Sequence, residues 1–468
     1  MTYDEAVRAL FSLGRELASP QQARVQKFGL GNITTLAEAL GNPHRASPCV
    51  HIAGTNGKGS TAAMLESVLF NAGFSTGLYT SPHLERINER IRIDGEDISD
   101  EAFARAWDRV HTAIESLMAS GKLAAHPTFF ECITAMAFVA FAEAKIDFAV
   151  YEVGLGGRLD ATNIVVPELA VITPIDFDHE NFLGHSIAEI ASEKSGIIKQ
   201  NAWVVSATPI TAPNTTGAIA AEVIAKRATE QNACLFEIDR VWQLDDSDIE
   251  SASADGFYRA TATSKQLEAT IHLAPSLAGR FQVRNALTAA TAARLLNDKN
   301  FKIPTAAIEQ GITSARWPGR LERISTQPPV YLDGTHNPAG ARELARFWRE
   351  NFAERPIILV YGAMRDKAVD EIAGQLFPLA HTVILTQPRQ PRAISANLLA
   401  EMTAGLAAKS LIVPDPREAL ERAMQGAVEL GNAPPSVSSA KGPAVFATGS
   451  LFLVGDLRAY WPHRTPAK

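Results

Sequence analysis

The chain has 468 residues, too many for one ordinary hydrophobic core, so two or three domains are expected. Hydrophobic residues make up 46% and charged residues 20%, the balance of a soluble globular protein, and a net charge of −7 argues against a nucleic-acid binder, which would carry a basic face. Cys49, Cys132 and Cys234 are widely spaced and fit neither a disulfide framework nor a zinc spacing, so they read as reduced side chains. The start Met-Thr-Tyr-Asp-Glu lacks the basic and apolar regions of a signal peptide, and no stretch approaches 18 apolar residues. A cytoplasmic protein with no membrane partner is the expectation.

Short apolar runs alternate with helical patterns over most of the chain, the signature of an α/β protein with a largely parallel sheet. In the first half, strands are expected over 49–53, 74–80, 147–153, 169–173 and 203–207. Helices are expected over 60–71, ended by Gly73, over 130–144, and over about 186–199. The stretch 234–273 alternates instead, with Leu267, Ala269, Ile271 and Leu273 on one face, and reads as a small antiparallel insertion within about 234–275. A helix resumes over 283–296. Trp317-Pro-Gly319 punctuates the chain, so the division is placed there: a first domain over 1–313, a linker over 314–318 and a second domain over 319–468. In the second domain, strands are expected over 330–332, 357–361, 382–386 and 444–447, and the Pro/Ser/Ala-rich 431–443 reads as a surface loop.

The string His51-Ile-Ala-Gly-Thr-Asn-Gly-Lys-Gly-Ser60 follows a strand and opens a helix. Its glycines suit a tight turn, and the exposed N–H groups of Gly54, Thr55, Asn56, Gly57, Lys58 and Gly59 at a helix N-terminus can cradle phosphate oxygens. Lys58 can neutralise β/γ-phosphate charge, and Ser60 or Thr61 can offer a hydroxyl to Mg²⁺. The spacing departs from the general G-x-x-x-x-G-K-[ST] form because Gly59 separates Lys58 from Ser60. Further on, Tyr151-Glu-Val-Gly-Leu-Gly-Gly-Arg-Leu-Asp-Ala-Thr-Asn163 places Glu152 at the end of a buried strand, where ligands bind in open α/β sheets. A carboxylate there can bridge two Mg²⁺ ions, which favour oxygen ligands.

Gly54-Thr-Asn-Gly-Lys-Gly-Ser60 resembles the loop of the folylpolyglutamate synthase and dihydrofolate synthase family, part of the wider group of ATP-dependent ligases that includes the muramyl-peptide ligases. The resemblance runs from about residue 24 to 458, thinning over 210–275. It implies a P-loop NTPase-like parallel-sheet domain followed by a smaller Rossmann-like α/β domain, with the active site between them. In Tyr79-Thr-Ser-Pro-His-Leu84 it gives Ser81 as a Mg²⁺ ligand, and in Ile172-Thr-Pro-Ile-Asp-Phe-Asp-His179 it gives His179. An imidazole on Mg²⁺ is chemically unusual, so that assignment rests on the resemblance. Lys194 matches a lysine that the family carbamylates, which turns a cation into a carboxylate-like group at the metal site.

In Arg280-Phe-Gln-Val-Arg-Asn285, the amide of Asn285 can read an adenine edge, and Arg320, just past the linker, can reach ATP phosphates. Tyr331-Leu-Asp-Gly-Thr-His336 brings Asp333 and His336 onto one turn, where the resemblance gives them nucleotide and glutamate contacts. Arg90 and Ser450 are the candidate glutamate-binding pair. The resemblance also implies that Phe129, in Thr128-Phe-Phe-Glu131, borders the pterin pocket, that Lys27-Phe-Gly-Leu-Gly-Asn32 approaches it, and that 388–392 and 448–450 line the cleft.

The implied reaction phosphorylates a folate or dihydropteroate carboxylate with ATP and lets the amine of L-glutamate attack the acyl phosphate. Lys58, Glu152, His179 and Lys194 are the expected catalytic residues. ATP, two Mg²⁺ ions and a monovalent cation are the expected cofactors, small molecules the only partners, and a monomer the expected state. Gly156–Asn163 and Thr128–Glu131 resemble bifunctional members that also glutamylate dihydropteroate. The alternatives are a folylpolyglutamate synthase alone, a muramyl-peptide ligase and a non-catalytic nucleotide-binding regulator. Thr80-Ser-Pro-His83 and the lack of an extra N-terminal domain disfavour the muramyl ligase. The regulator would need neither Glu152 nor the Asp333/His336 turn.

Overall fold

The computed structural model describes residues 1–14, 29–123, 125–210, 212–253, 255–432 and 442–463, and among these the strands form three sheets. The largest holds β1 (Cys49–Ala53), β2 (Thr76–Tyr79), β3 (Ile91–Ile93), β4 (Glu96–Asp97), β5 (Phe148–Glu152), β6 (Leu169–Ile172), β7 (Trp203–Ser206) and β8 (Cys234–Glu237). Their order is β4-β3-β2-β5-β1-β6-β7-β8, parallel except at β3 and β4. β1 lies between β5 and β6, and every residue of β1 and β5 is buried.

Alternate side chains of these strands feed opposite faces. Phe148 and Val150 pack with the helices Lys58–Asn71, Phe281–Asp298 and Thr305–Ser314, whereas Ala149 and Tyr151 pack with Asp100–Ala119 and Phe129–Ala144. Burial on both faces is why these strands read as continuous apolar runs rather than as alternation. Phe129–Ala144 starts at a capping box in which Thr128 and Glu131 satisfy each other's N–H groups. No helix among the described residues is long and apolar enough to cross a membrane.

The stretch expected to form one antiparallel insertion is split. Cys234–Glu237 pairs in parallel with β7 as an outer strand of the large sheet, and a short helix, Ile238–Val241, follows. Only β9 (Glu250–Ser251), β10 (Tyr258–Ser264) and β11 (Ala269–Leu273) form the antiparallel sheet. A four-residue strand shows no period, so its partner is set by tertiary packing alone. β10 does alternate, burying Tyr258, Ala260 and Ala262 in the core against the Phe281–Asp298 helix.

The chain leaves the first unit after Thr305–Ser314 and enters a sheet of β12 (Glu322–Thr326), β13 (Pro329–Leu332), β14 (Ile357–Tyr361), β15 (Thr382–Leu385), β16 (Ser410–Ile412) and β17 (Ala444–Thr448). Its order is β12-β13-β17-β14-β15-β16, with only β12 antiparallel to its neighbour. Again both faces are covered: Ile357, Leu359 and Tyr361 on one side, Ile358 and Val360 on the other. The strands missed in sequence, β3, β4, β12 and β16, are short, part-exposed edge or near-edge strands without an apolar run. The expected loop over 431–443 falls largely on residues outside those described.

Contacts on two sides join the units away from the cleft. Leu84 lies against the helix Leu451–Tyr460, so closely that a Cβ on Gly455 would come within 2.1 Å of the Leu84 carbonyl oxygen, and Arg458 pairs with Glu85. On the other side, the Tyr258 hydroxyl donates to Glu350 at 2.9 Å, and Phe257 and Phe281 pack on the second unit's core.

Helix packing holds the base of the phosphate loop. A Cβ on Gly311 would come within 2.5 Å of backbone atoms of Val68 in the Lys58–Asn71 helix. Backbone cannot yield as a flexible side chain does, so Gly311→Ala is expected to lower stability by about 1–3 kcal/mol. Thermal denaturation reads this directly; an unchanged midpoint would show that the two helices separate freely.

Candidate active site

The C-terminal ends of β1, β5 and β6 open into a cavity of about 850 Å³ lined by both units. β1 delivers the glycine-rich loop. Gly57 caps the Lys58–Asn71 helix with φ 86°, and a Cβ there would lie 2.4 Å from Asn285 Oδ1, so neither the conformation nor the space admits a side chain. Gly59 has a different reason: a Cβ would come within 2.8 Å of the Trp317 ring, which packs on the helix start. The departure from the general phosphate-loop spacing thus accommodates the tryptophan just before the second unit.

The loop is stitched to the segment after β6. The Thr55 and Asn56 N–H groups donate to the Pro174 carbonyl at 3.0 and 3.3 Å, and the Thr55 hydroxyl donates to the Asp176 carbonyl at 2.9 Å. Lys58 Nζ donates to the Gly54 and Thr55 carbonyls, each at 3.1 Å. Lys194 Nζ, buried, donates to the Gly54 carbonyl at 2.8 Å. Burial lowers the affinity of both amines for their protons, and Lys194 is pushed down to about 7, with the charge of Lys58 adding to the effect.

Glu152 ends β5 fully inside and accepts from the Ser81 N–H at 3.3 Å. Burial raises its proton affinity, and Lys58 is the main opposing influence. Ser60 and Ser81 both line the cavity, whereas Thr61 is buried beneath it with its hydroxyl unpartnered among the described residues. Of the two candidate hydroxyls, Ser60 is therefore the one at the cavity. Gln282 Nε2 lies 3.5 Å from Ser60 Oγ, and Asn285 Nδ2 donates to Gln282 Oε1 at 2.9 Å.

His179 stands at the turn after β6 with φ 53°, a left-handed conformation supported by its own N–H donating to Asp178 Oδ1 at 2.9 Å. Loss of solvation outweighs the neighbouring Asp178 and pushes the imidazole down to about 3, so it is neutral near pH 7. Glu152, Ser60, Ser81 and His179 supply a carboxylate, two hydroxyls and a neutral nitrogen on the same cavity wall. Its oxygen donors fit a hard divalent cation completed by phosphate oxygens and water, although no group of three or more His, Cys, Asp or Glu suited to a metal occurs among the described residues.

The second unit supplies the opposite wall. Asp333 accepts from the Leu321 N–H at 2.9 Å and the Thr335 N–H at 3.1 Å, pinning the stretch just past the linker to the turn that holds His336. Arg320 lines the cavity beside Asp333 and Glu152, and Ser450 lines it while capping Leu451–Tyr460 through a 3.1 Å bond from the Phe452 N–H. Phe129 lines it as well, stacked on Phe11 at 5.7 Å. Arg90 is placed differently from Ser450. It is buried off the cavity wall, donating to His83 Nδ1 at 2.8 Å with its guanidinium 5.4 Å from the Phe129 ring centre. Of 388–392, Arg392 reaches the cavity; Lys27 and Phe28 lie outside the described residues.

Sequence reasoning missed the groups that join the two walls. Asp178, its side chain 9% exposed, receives Lys367 Nζ at 2.8 Å and Asn337 Nδ2 at 3.2 Å, with His336 Nε2 at 3.6 Å. Asn337 also donates to Asn56 Oδ1 of the phosphate loop at 2.9 Å. Together these contacts hold the Asp178 carboxyl well below the usual carboxylate range despite its burial. Asp160 was likewise passed over; it accepts from the Gly154 and Leu155 N–H groups and fixes the turn after Glu152. Asp178 adjoins His179, and Asn337 precedes a proline that opens a helix, signals that were present; Lys367 sits in an unremarkable turn.

Residues 52–293 match the Mur ligase middle domain, and 319–433 match the Mur ligase glutamate ligase domain. The chain is 37% identical to the dihydrofolate synthase/folylpolyglutamate synthase of Bacillus subtilis, over 92% of this chain and 94% of that one. Its fold matches Mycobacterium tuberculosis folylpolyglutamate synthase complexed with ADP and AMPPCP, with a TM-score of 0.84, 31% identity, and coverage of 99% of this chain and 100% of that one. It also matches a bifunctional folylpolyglutamate synthase/dihydrofolate synthase with Mn, AMPPNP and L-glutamate bound, with a TM-score of 0.78, 28% identity, and coverage of 99% and 98%. An ATP-dependent acid–amino-acid ligase by its domains and its relatives, the chain belongs to the folylpolyglutamate synthase and dihydrofolate synthase family of Mur ligases.

Proposed function

We propose that this chain joins L-glutamate in amide linkage to dihydropteroate and to reduced folates, including their polyglutamates, at the cost of one ATP. The observation that carries this reading is the meeting, in one cavity, of the phosphate loop with Lys58, the Glu152 carboxylate and the Arg320–His336 wall of the second unit. The names of the relatives and the L-glutamate in one solved neighbour support the choice of substrates. The units taking part are the proposed domains 1–313 and 319–468 with the linker 314–318, acting as a monomer.

A carboxylate oxygen of the acceptor attacks the γ-phosphorus, the bond to the β-phosphate oxygen breaks, and ADP leaves. The glutamate amine then attacks the acyl carbon, inorganic phosphate departs with the former carboxylate oxygen, and the amine loses a proton. Lys58 swings from the Gly54 and Thr55 carbonyls to the transferred phosphoryl group, and Arg320 meets it from the other side. Walls from two units exclude the water that would hydrolyse the acyl phosphate. Glu152, Ser60, Ser81 and His179 would hold divalent metal, which supplies neutralisation of phosphate charge when bound. Lys194 as a carbamate would serve a second ion, and a monovalent cation is a further candidate. Asn285 and Asp333 serve the nucleotide, His336 and Ser450 the glutamate. Arg90 acts behind Phe129, holding the pterin-side wall.

Purified protein is expected to release ADP with glutamate plus dihydropteroate, and separately with glutamate plus tetrahydrofolate. Activity with tetrahydrofolate alone would restrict the chain to folylpolyglutamate synthesis, and activity only with a muramyl peptide would overturn the reading. Glu152→Gln should lower turnover by at least about two orders of magnitude, since a metal is worth several kcal/mol of charge stabilisation. Its circular dichroism should be unchanged, and near-normal activity would remove Glu152 from the metal site. Incubation with ¹³C-bicarbonate should give a carbamate carbon resonance in the native protein that is missing in Lys194→Arg; its absence from both would rule out the modification.

A further inference from the structure

Asn337 uses both ends of its side-chain amide. The residue is buried and caps the helix Pro338–Asn351, where its Oδ1 accepts from the Gly340 N–H at 2.8 Å. Its Nδ2 donates to two acceptors of the first unit, Asn56 Oδ1 at 2.9 Å and Asp178 Oδ2 at 3.2 Å. Asn56 Nδ2 donates in return to Asn337 Oδ1 at 3.3 Å. A backbone donor at one end and a carboxylate at the other fix which way the Asn337 amide points. The Asn56 side chain, in the middle of the phosphate loop, is thus turned toward the second unit. A helix start needs less than this. Serine and aspartate cap helices about as well as asparagine, yet serine is too short for this reach and ionised aspartate has no hydrogen to donate.

The turn that carries Asn337 is tied to the end of β17. The Thr448 hydroxyl donates to the Asp333 carbonyl at 2.8 Å, and the Gly449 N–H donates to the Thr335 carbonyl at 3.0 Å. His336 and Ser450, the glutamate contacts of the reading above, therefore belong to the same block as Asn337, while Lys58 follows Asn56 by two residues on the other wall. We infer that Asn337 is a positioning residue for amide formation: through Asn56 and Asp178 it sets the glutamate side of the cleft against the phosphate loop, so that the amine meets the acyl phosphate before water does. The inference rests on the ligase reading proposed above. Water attacking the acyl phosphate returns the carboxylate and inorganic phosphate, so an ATP is consumed and no amide is made.

The test counts ADP released and amide formed in the same reaction, with ADP binding to the full chain measured separately by calorimetry. The native protein should release one ADP per amide. Asn337→Ser should form amide at least about tenfold more slowly, as small displacements of reacting groups do, while binding ADP within about threefold of the native protein. It should also release clearly more than one ADP per amide. Asn337→Asp, which keeps the cap and sets a carboxylate beside Asp178, should uncouple at least as strongly. Were the side chain only a helix cap, both variants would keep the native ratio and rate, and that result would overturn the inference. Loss of ADP binding in place of uncoupling would overturn it too. Asn56→Ala breaks the contact from the loop and leaves the cap whole, so it keeps the inference testable should the Asn337 variants fail to fold; its ratio should also rise, and a native ratio would count against the inference. The double variant Asn56→Ala/Asn337→Ser should be no slower than Asn337→Ser, whereas losses that multiply would show that the two residues act apart. If the native chain forms no amide with either acceptor, the ligase reading falls; if it does and the variants match it, only the role of Asn337 falls.

Discussion

Two lysine ammonium groups share one acceptor, and much of the site follows from that. Lys58 and Lys194 both donate to the Gly54 carbonyl, from well-separated points in the first unit's sequence. Burial lowers the proton affinity of both, and the charge of Lys58 lowers that of Lys194 further. The arrangement persists because negative charge surrounds it: Glu152, Asp178 and Asp160 all act on one or both lysines. A polyphosphate entering the same cavity adds the negative charge such a site favours.

The sheet is what brings these groups together. β1, β5 and β6 are neighbours, so the loop after Ala53, the carboxylate ending β5 and the turn after β6 emerge side by side although the loop lies far from the other two in the chain. Parallel pairing puts all three exits on the same edge, where open α/β sheets bind their ligands. The turn after β6 does double duty. Its Asp176 backbone holds Thr55 of the loop, and its Asp178 side chain receives the second unit.

The second unit is joined to the first at three places. Leu84 packs against Gly455 beside the loop that carries Ser81, Tyr258 reaches Glu350 from the antiparallel sheet, and Asp178 binds Lys367 and Asn337 in the cleft. Two of these lie outside the cavity. The contact in the cleft is polar, which gives directional hydrogen bonds between walls that must also admit substrates.

Local patterns were enough to read the α/β class, the phosphate loop and the chemical character of Glu152, because a glycine-rich turn between strand and helix and a charge at an apolar strand's end are properties of neighbouring residues. The resemblance carried by those strings extended the reading to Ser81, His179, Lys194, Arg320 and the Asp333–His336 turn, all of which line one cavity, whereas Thr61 is buried beneath it. What tertiary structure alone decided was pairing at a distance. Cys234–Glu237 became a parallel outer strand because β7 offered it an edge, Ser60 rather than Thr61 faced the cavity because of the helix's rotation, and Arg90 turned to His83 and Phe129. Lys367 and Asp178 are 189 residues apart and neither sits in a telling pattern. Their union depends on how two separately folded sheets meet, and a buried charge finds its partner in space rather than along the chain.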